Sequence, residues 1–317
     1  MEPINRIDVH THFVPAFYRS YLANYGIDDA GGAPLAKWNV EDHLALMDRN
    51  HITKSILSLS MPGVQMGNDI KAREMARMVN EYAADLVAKH PDRFGFFATL
   101  TLPDVEGAIS EMNYALDHLN ADGIVLLSNE GKKYVGDPGN KPLLEALNNR
   151  KAVVFIHPNN LPGNLAMQGL PPYVADFSLS TVRAAISLIQ SGTMRTYHDV
   201  KIILAHAGGF LPYAAGRIAS IGSSPEGMAR IMKDLTRFYF EIAVSSSPTV
   251  FPGLMAFTSS KHVLFGTDWP CVPKAYVNTL TNFFDVYDGI SNEQKADINF
   301  GNAAALGLLE TSWHISS

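Results

Sequence analysis

An α/β fold, a single (β/α)8 TIM barrel spanning residues 1–317, is what the sequence predicts, and two observations predict it. Eight short β-rich runs alternate with helix-length segments, and several of the runs are apolar almost throughout, as strands covered on both faces are. The length is right for eight repeats of strand and helix in one barrel. No Ser/Gly/Pro linker, charge run or internal repeat marks a boundary inside the chain. In such a barrel the reactive groups belong at the C-terminal ends of the strands.

The runs can be taken in order. The first, 6–13, reads Arg-Ile-Asp-Val-His-Thr-His-Phe, and the second and third occupy 55–60 and 94–100. The fourth, 122–127, ends in Ile124-Val-Leu-Leu. The fifth, 153–157, and the sixth, 201–206, contain the continuous apolar stretches Val153-Val-Phe-Ile and Ile202-Ile-Leu-Ala. The seventh and eighth lie at 238–243 and 262–268. Between them, amphipathic spacing and capping residues predict helices over 68–89, 105–119, 178–190 and 211–221. The stretch 14–37 is long and Gly-rich for a strand-to-helix loop, and is expected to form a lid or a pocket wall.

Composition excludes several functions. Lys and Arg total 25 against 31 Asp and Glu, a net charge of −6 with no basic block to follow a phosphate backbone, so nucleic acid is not an expected partner. No apolar run approaches the roughly 20 residues needed to cross a bilayer. The first residues lack the basic-then-apolar layout of a signal peptide, and the single Cys271 forms no internal disulfide, so a cytoplasmic protein is expected. There is no Gly-x-Ser-x-Gly elbow, Walker A segment or Gly-x-Gly-x-x-Gly fingerprint.

What occupies the strand ends is lopsided. His10 and His12 share one face of the first strand, because side chains at i and i+2 point the same way. His157 ends the fifth strand, His206 the sixth and Asp268 the eighth. Singly, each has an ordinary structural reading. Jointly, four of the 11 histidines and one aspartate fall on one rim, which is the donor set a catalytic divalent metal requires. His90, His118 and His198 lie in polar helical or loop contexts that fit solvated roles.

The motifs His10-x-His12, His157 after an apolar strand, His206-Ala-Gly-Gly-Phe210, Phe265-Gly-Thr-Asp268-Trp-Pro and Gly301-Asn-Ala303 together resemble the amidohydrolase superfamily along 6–310. Within it the chain resembles the non-oxidative decarboxylases, which include aminocarboxymuconate-semialdehyde decarboxylase and the ortho-hydroxybenzoate decarboxylases of salicylate, 6-methylsalicylate and γ-resorcylate. The resemblance implies a metal-dependent decarboxylase releasing CO2 and a phenol, with 6-methylsalicylate or a related salicylate as the first choice of substrate. One departure narrows it further. Binuclear hydrolases of the superfamily carry a bridging carbamylated lysine at the end of strand four, whereas Ile124-Val-Leu-Leu-Ser128 offers none, so a single ion is expected.

By the same resemblance, His10, His12, His157 and Asp268 hold one divalent ion, Zn2+ or Mn2+. His206 stays off the metal to take a proton or steady the substrate, and Asp268 both ligates and shuttles the proton that replaces CO2. Arg217 matches an arginine that reaches a neighbouring subunit's site and pairs with a substrate carboxylate, which implies a homodimer or higher homo-oligomer; its plain alternative is an exposed helix arginine. His43 stands where the aminocarboxymuconate enzymes carry an arginine, which favours an aromatic monoacid. Phe13, Met61, Phe210 and Trp269 are candidate walls of an aryl pocket, with core packing as the alternative for each. A lactonase of the same superfamily, with His206 or Asp268 as general base, and a decarboxylase of aminocarboxymuconate semialdehyde are the rival readings.

Overall fold

Eight parallel strands follow one another around a single sheet in chain order: β1 (Arg6–His12), β2 (Ile52–Ser58), β3 (Phe94–Thr99), β4 (Gly123–Leu127), β5 (Val153–His157), β6 (Lys201–Leu204), β7 (Tyr239–Glu241) and β8 (Val263–Leu264). The computed structural model describes residues 4–163 and 167–309. The sheet closes on itself past the end of β8. The Val9 amide donates to the Phe265 carbonyl at 3.1 Å, the His12 amide donates to the Trp269 carbonyl at 2.6 Å, and Thr11 bridges Trp269 in parallel fashion. The predicted (β/α)8 barrel is therefore the observed one.

Alternation along the strands divides the core in two. Ile56, Phe97, Val125, Phe155, Ile203 and Leu264 fill the barrel interior. Their strand neighbours Leu57, Phe96, Ile124, Val154, Ile202 and Val263 face the helices and join the larger outer core. The helices form where expected. Asn68 caps Asp69–Lys89 by accepting from the Lys71 amide, and Asp104 caps Val105–His118 by accepting from the Gly107 amide. Asp176–Gln190 and Leu211–Ala219 cover the other two predicted segments, the last continuing as a 3-10 turn over Ser220–Gly222.

Two expectations need correction. The sixth and eighth strands stop at Leu204 and Leu264, short of His206 and Asp268, because the backbone leaves the extended region there: φ is +55° at His206, +54° at Ala207 and +59° at Asp268. The stretch 14–37 is not a bare loop. It holds a helix, Ala16–Ala23, and a small hairpin of Asp29–Ala30 with Ala33–Pro34. At the hairpin turn Gly31 (φ +62°) fits against the Phe177 ring, where a Cβ would come within 2.3 Å, and Phe177 in turn lies 6.3 Å from the His157 ring. The segment is thus a wall beside the strand ends.

At the opposite end of the barrel, the fully buried Arg6 guanidinium ties three elements together. It donates to Asn299 Oδ1 at 3.0 Å and to the Asn50 carbonyl at 2.6 Å, and it pairs with Asp285 on the helix Lys274–Val286. Removing one partner of a buried ion pair leaves an uncompensated charge. Asp285→Ala is therefore expected to lower unfolding free energy by about 2 kcal/mol, less than for a fully buried carboxylate because Asp285 is partly exposed. Urea unfolding followed by circular dichroism checks this; a loss under about 0.5 kcal/mol would mean that Asn299 and Asn50 alone satisfy the guanidinium.

Candidate metal centre

Inward-pointing residues at the end of β1 bring His10 and His12 to the axis of the barrel, where the His10 ring packs edge-on against Phe155 at 4.8 Å. His157 enters from β5, its ring 5.3 Å from that of His10 and 4.8 Å from that of His12. Asp268 enters from the turn after β8. Its Oδ1 lies 3.3 Å from His10 Nε2 and 3.1 Å from His12 Nε2, and the two nitrogens are 3.1 Å apart. All four side chains are buried, and their donor atoms lie within 4.8 Å of one another.

Each imidazole is held with its Nδ1 turned away from this cluster. His10 Nδ1 meets Glu241 Oε1 at 2.7 Å, His12 Nδ1 meets the Ser58 carbonyl at 3.2 Å and Ser58 Oγ at 3.0 Å, and His157 Nδ1 meets the Pro158 carbonyl at 2.8 Å. A carbonyl or carboxylate acceptor at Nδ1 places the proton there and leaves the Nε2 lone pair free. Three Nε2 lone pairs and one carboxylate oxygen then converge. Ligand atoms about 2.1 Å from one tetrahedral ion sit roughly 3.4 Å apart, close to the spacings seen here, so the residues fit a divalent metal.

Burial and neighbouring charge act differently on the three rings. Burial favours the neutral ring and holds His12 below the ordinary histidine value and His157 well below it. At His10 burial acts the same way, but the Glu241 and Asp268 carboxylates outweigh it and lift the group to about 10, so this ring has to give up its Nε2 proton before that nitrogen can hold an ion. Burial works to raise Asp268, yet the charge and hydrogen bonds of His10, with those of His12 and His206, keep it well below the usual carboxylate range. Asp268 is an ionised carboxylate among imidazoles.

His206 stands beside the cluster. Its ring centroid is 4.9 Å from that of His10, and its Nε2 is 3.4 Å from Asp268 Oδ2, the oxygen that does not face the other histidines. His206 also falls in a second grouping with His10 and Glu241. That grouping is better read as support. The Glu241 carboxylate already accepts from the His206 amide, from the Ala243 amide at 2.6 Å and from His10, so it is occupied as an acceptor.

The structure brings His10, His12, His157, His206 and Asp268 together, and directs several other candidates elsewhere. His43 is fully buried behind β1, where it accepts from Trp38 Nε1 at 2.9 Å and neighbours Thr11 Oγ1 at 3.4 Å. Burial pushes it down to about 3, as a neutral core histidine, so its expected contact with substrate is withdrawn. Phe13 packs against Trp38 and Tyr82 in the outer core. Trp269 packs outward with Leu46, Val272 and Val277. Both rings thus take up the core packing named as their alternative, on the outward side of their strand ends. Met61 is buried in the loop after β2, and Phe210 is half exposed beside His206. Arg217 is exposed on the helix Leu211–Ala219, and no described carboxylate pairs with it.

Sequence reasoning passed over Glu241, Ser58 and Asp8. Glu241 had a visible signal, a lone carboxylate inside the apolar run Phe238-Tyr-Phe-Glu-Ile-Ala. Asp8 accepts from the His10 and Thr267 amides, each at 3.1 Å, and from the Thr267 hydroxyl at 2.6 Å, which fixes the turn that carries Asp268. Its position on the first strand, two residues before His10, was the only clue.

Comparisons with known proteins agree with this geometry. A family model described as amidohydrolase matches residues 7–306. The decarboxylase macB of Penicillium terrestre is 36% identical over 323 residues, covering 96% of this chain and 95% of its own. The 6-methylsalicylic acid decarboxylase of Penicillium expansum is 36% identical over 314 residues, covering 95% of each. Among solved structures, a dihydroxybenzoic acid decarboxylase from Polaromonas sp. JS666, with bound manganese and the inhibitor 2-nitroresorcinol, superposes with a TM-score of 0.84 at 25% identity, covering 96% of this chain and 97% of its own.

Glu241 supplies the test of the site. A carboxylate behind a metal-binding histidine typically accounts for 10- to 100-fold in metal affinity. Glu241→Gln is expected to weaken binding of Mn2+ and Zn2+ by about that factor, read as ion retained in competition with a chelator. Unchanged retention in a folded variant would show that Phe155 packing alone orients His10.

Proposed function

The chain belongs to the amidohydrolase family, and on that premise we propose that it is a metal-dependent non-oxidative decarboxylase of an ortho-hydroxy aromatic acid, with 6-methylsalicylate or a related salicylate as substrate and CO2 and a phenol as products. The observation that carries the reading is the donor set: three Nε2 lone pairs and Asp268 on one side, and Leu127 at the end of β4, level with His157, where a binuclear site would need its bridge. The decarboxylase relatives that align over nearly the whole chain support the same chemistry. We assign the site one ion held by His10, His12, His157 and Asp268, with Mn2+ and Zn2+ as the ions to test, since three imidazoles and a carboxylate suit both. The enzyme is read as one barrel domain working in the cytoplasm as a homodimer or higher homo-oligomer.

A divalent ion at this position supplies a Lewis acid that orients a substrate oxygen and balances its charge. The remaining work falls to side chains. Asp268 offers two inequivalent oxygens: Oδ1 faces His10 and His12, and Oδ2 faces His206. Because its neighbours keep the carboxylate ionised, Asp268 must first receive a proton, and His206 at 3.4 Å is placed to deliver it to Oδ2. Oδ2 then protonates the ring carbon that bears the substrate carboxylate, with electron density drawn from the ortho oxygen. The C–C bond breaks, its electron pair restores the aromatic ring, and CO2 departs. Proton transfer before bond cleavage avoids a bare aryl carbanion.

Arg217 is assigned to substrate carboxylate binding across a subunit interface. Its exposure, together with Tyr213 one turn before it at 94% exposure, supports a side chain that serves a partner rather than its own barrel.

Two outcomes are expected. In metal-restored protein, Asp268→Asn lowers CO2 release from 6-methylsalicylate by roughly 10²–10⁴-fold, the range for loss of a general acid; near-normal release would remove Asp268 as proton carrier, and a lactone-only activity would reverse the reaction class. Mixing Arg217→Ala with His12→Ala subunits should restore part of the activity that each homo-oligomer lacks, and no recovery in demonstrated hetero-oligomers would end the shared-site assignment.

A further inference from the structure

Phe177 is a buried aromatic ring that stands apart from the apolar cores. Among the described residues it joins neither the barrel interior, nor the outer core, nor the group around Trp269. It lies instead between the His157 ring, edge-on with centroids 6.3 Å apart, and the backbone of Gly31 at the hairpin turn. Phe177 belongs to the first turn of the helix Asp176–Gln190, and that turn is fixed to the strand ends. Ser180, three residues on, has its Oγ 2.7 Å from Ser128 Oγ and donates to Asn129 Oδ1 at 3.1 Å, just past the end of β4. A methyl group at Gly209 would come within 2.4 Å of the Ser178 carbonyl oxygen, so the turn that follows His206 backs the same stretch of helix. The ring therefore stands at the reactive end of the barrel, between His157 and the hairpin wall.

Gly31 sets the position of the ring. A methyl there would come within 2.3 Å of Phe177 Cζ, 2.9 Å of Cε1 and 3.2 Å of Cε2, so the tip of the ring rests on the glycine backbone. The turn is itself held. The Tyr173 amide donates to the Gly31 carbonyl at 3.4 Å, and Gly32 lies against Pro171 and Pro172, where a methyl would come within 3.2 and 3.1 Å. With the helix start tied to the ends of β4 and β6, and the turn tied to the segment before the helix, the Phe177 side chain is what yields to added bulk. An aromatic ring has two torsions and a fixed outline, which suits it to set the width of an opening.

We propose that Phe177 is a specificity-determining wall of the aryl pocket and that Gly31, on the hairpin, sets how far this wall stands into it. Together the two limit the bulk that the substrate ring carries on that side. The inference rests on the decarboxylase reading and deepens it. A ring bound at an ion that His157 helps to hold comes within reach of Phe177, because Phe177 is the aromatic side chain set edge-on to that imidazole. Aromatic rings meet well edge to face or offset, and an apolar wall separates ligands that differ by one carbon by about tenfold or more. Gly31 acts on this selection only through Phe177, as a positioning residue.

The metal-replete enzyme and its Gly31→Ala, Phe177→Leu and doubly substituted variants are assayed with salicylate and its 3-, 4-, 5- and 6-methyl derivatives. Gly26→Ala is the control: Gly26 has φ +71° and nothing within 4 Å of an added methyl, so it carries the backbone strain without the contact. Gly31→Ala is expected to lower kcat/KM for at least one methyl isomer about tenfold relative to salicylate, and Phe177→Leu to raise the same ratio. In the double variant the Gly31→Ala penalty should fall below about twofold, because the shorter side chain leaves room for the methyl. Gly26→Ala should leave every ratio as it is. Ratios within about twofold of wild type in folded, metal-replete Gly31→Ala and Phe177→Leu, or a Gly31→Ala penalty undiminished in the double variant, would overturn the wall. If Gly31→Ala does not fold, Phe177→Leu alone decides by the same ratio. If wild type releases CO2 from none of these acids, the decarboxylase reading fails. Calorimetric binding of the same acids to wild type and Phe177→Leu then decides the wall separately: a shifted methyl selectivity sustains it, and equal binding or none overturns it.

Discussion

One buried carboxylate organises the reactive end of this barrel. Glu241 sits at the end of β7 with no exposure to solvent, and it reaches His10 on β1, the His206 amide after β6 and the Ala243 amide just beyond itself. A buried charge persists only when its lone pairs are met, and here they are met from three separate segments. The same contacts explain the shortness of the last strands. Amide hydrogens that would have extended the sheet ladder at His206 and Ala243 are taken by the Glu241 side chain, and the chain turns there.

Those turns give the site its shape. His206 and Asp268 both adopt left-handed backbone conformations, which ordinary residues avoid at a cost of about 1–2 kcal/mol each. Asp8 and Thr267 hold the second turn, and Glu241 holds the first. The strain sits in the two residues assigned to proton handling, whereas the three histidines assigned to the metal come from strands, His10 at the register shift of β1 between Asp8 and Thr11. Rigid strands fix the donor geometry, and the turns aim Asp268 Oδ2 and His206 Nε2 at one another above it.

Much of this was legible in the sequence, for a physical reason. Barrel strands are short and apolar on both faces, so Val153-Val-Phe-Ile and Ile202-Ile-Leu-Ala announced themselves, and a histidine or aspartate at such an end has few places to point. Helix caps were equally plain at Asn68 and Asp104. What the sequence hid was direction one residue further on. Phe13 and Trp269 follow His12 and Asp268 yet face the helices, and His43 lies on the helix Val40–Arg49, behind the barrel wall. Glu241 was hidden differently. A carboxylate inside a core strand makes sense only once the groups it meets, far away in the chain, are known.

Gly266 shows how tightly that carboxylate is fitted. A methyl group there would come within 2.2 Å of Glu241 Oε2 and 2.9 Å of the His10 Cβ. Glycine at 266 is thus the space that lets a full-length glutamate stand upright behind the first histidine assigned to the metal. The two positions are tied by sterics: a side chain in place of Gly266 would have to displace or shorten the acid opposite, and with it the acceptor that orients the first histidine. Divergence at this barrel's reactive end would then proceed by paired steps, with positions 241 and 266 changing together or not at all.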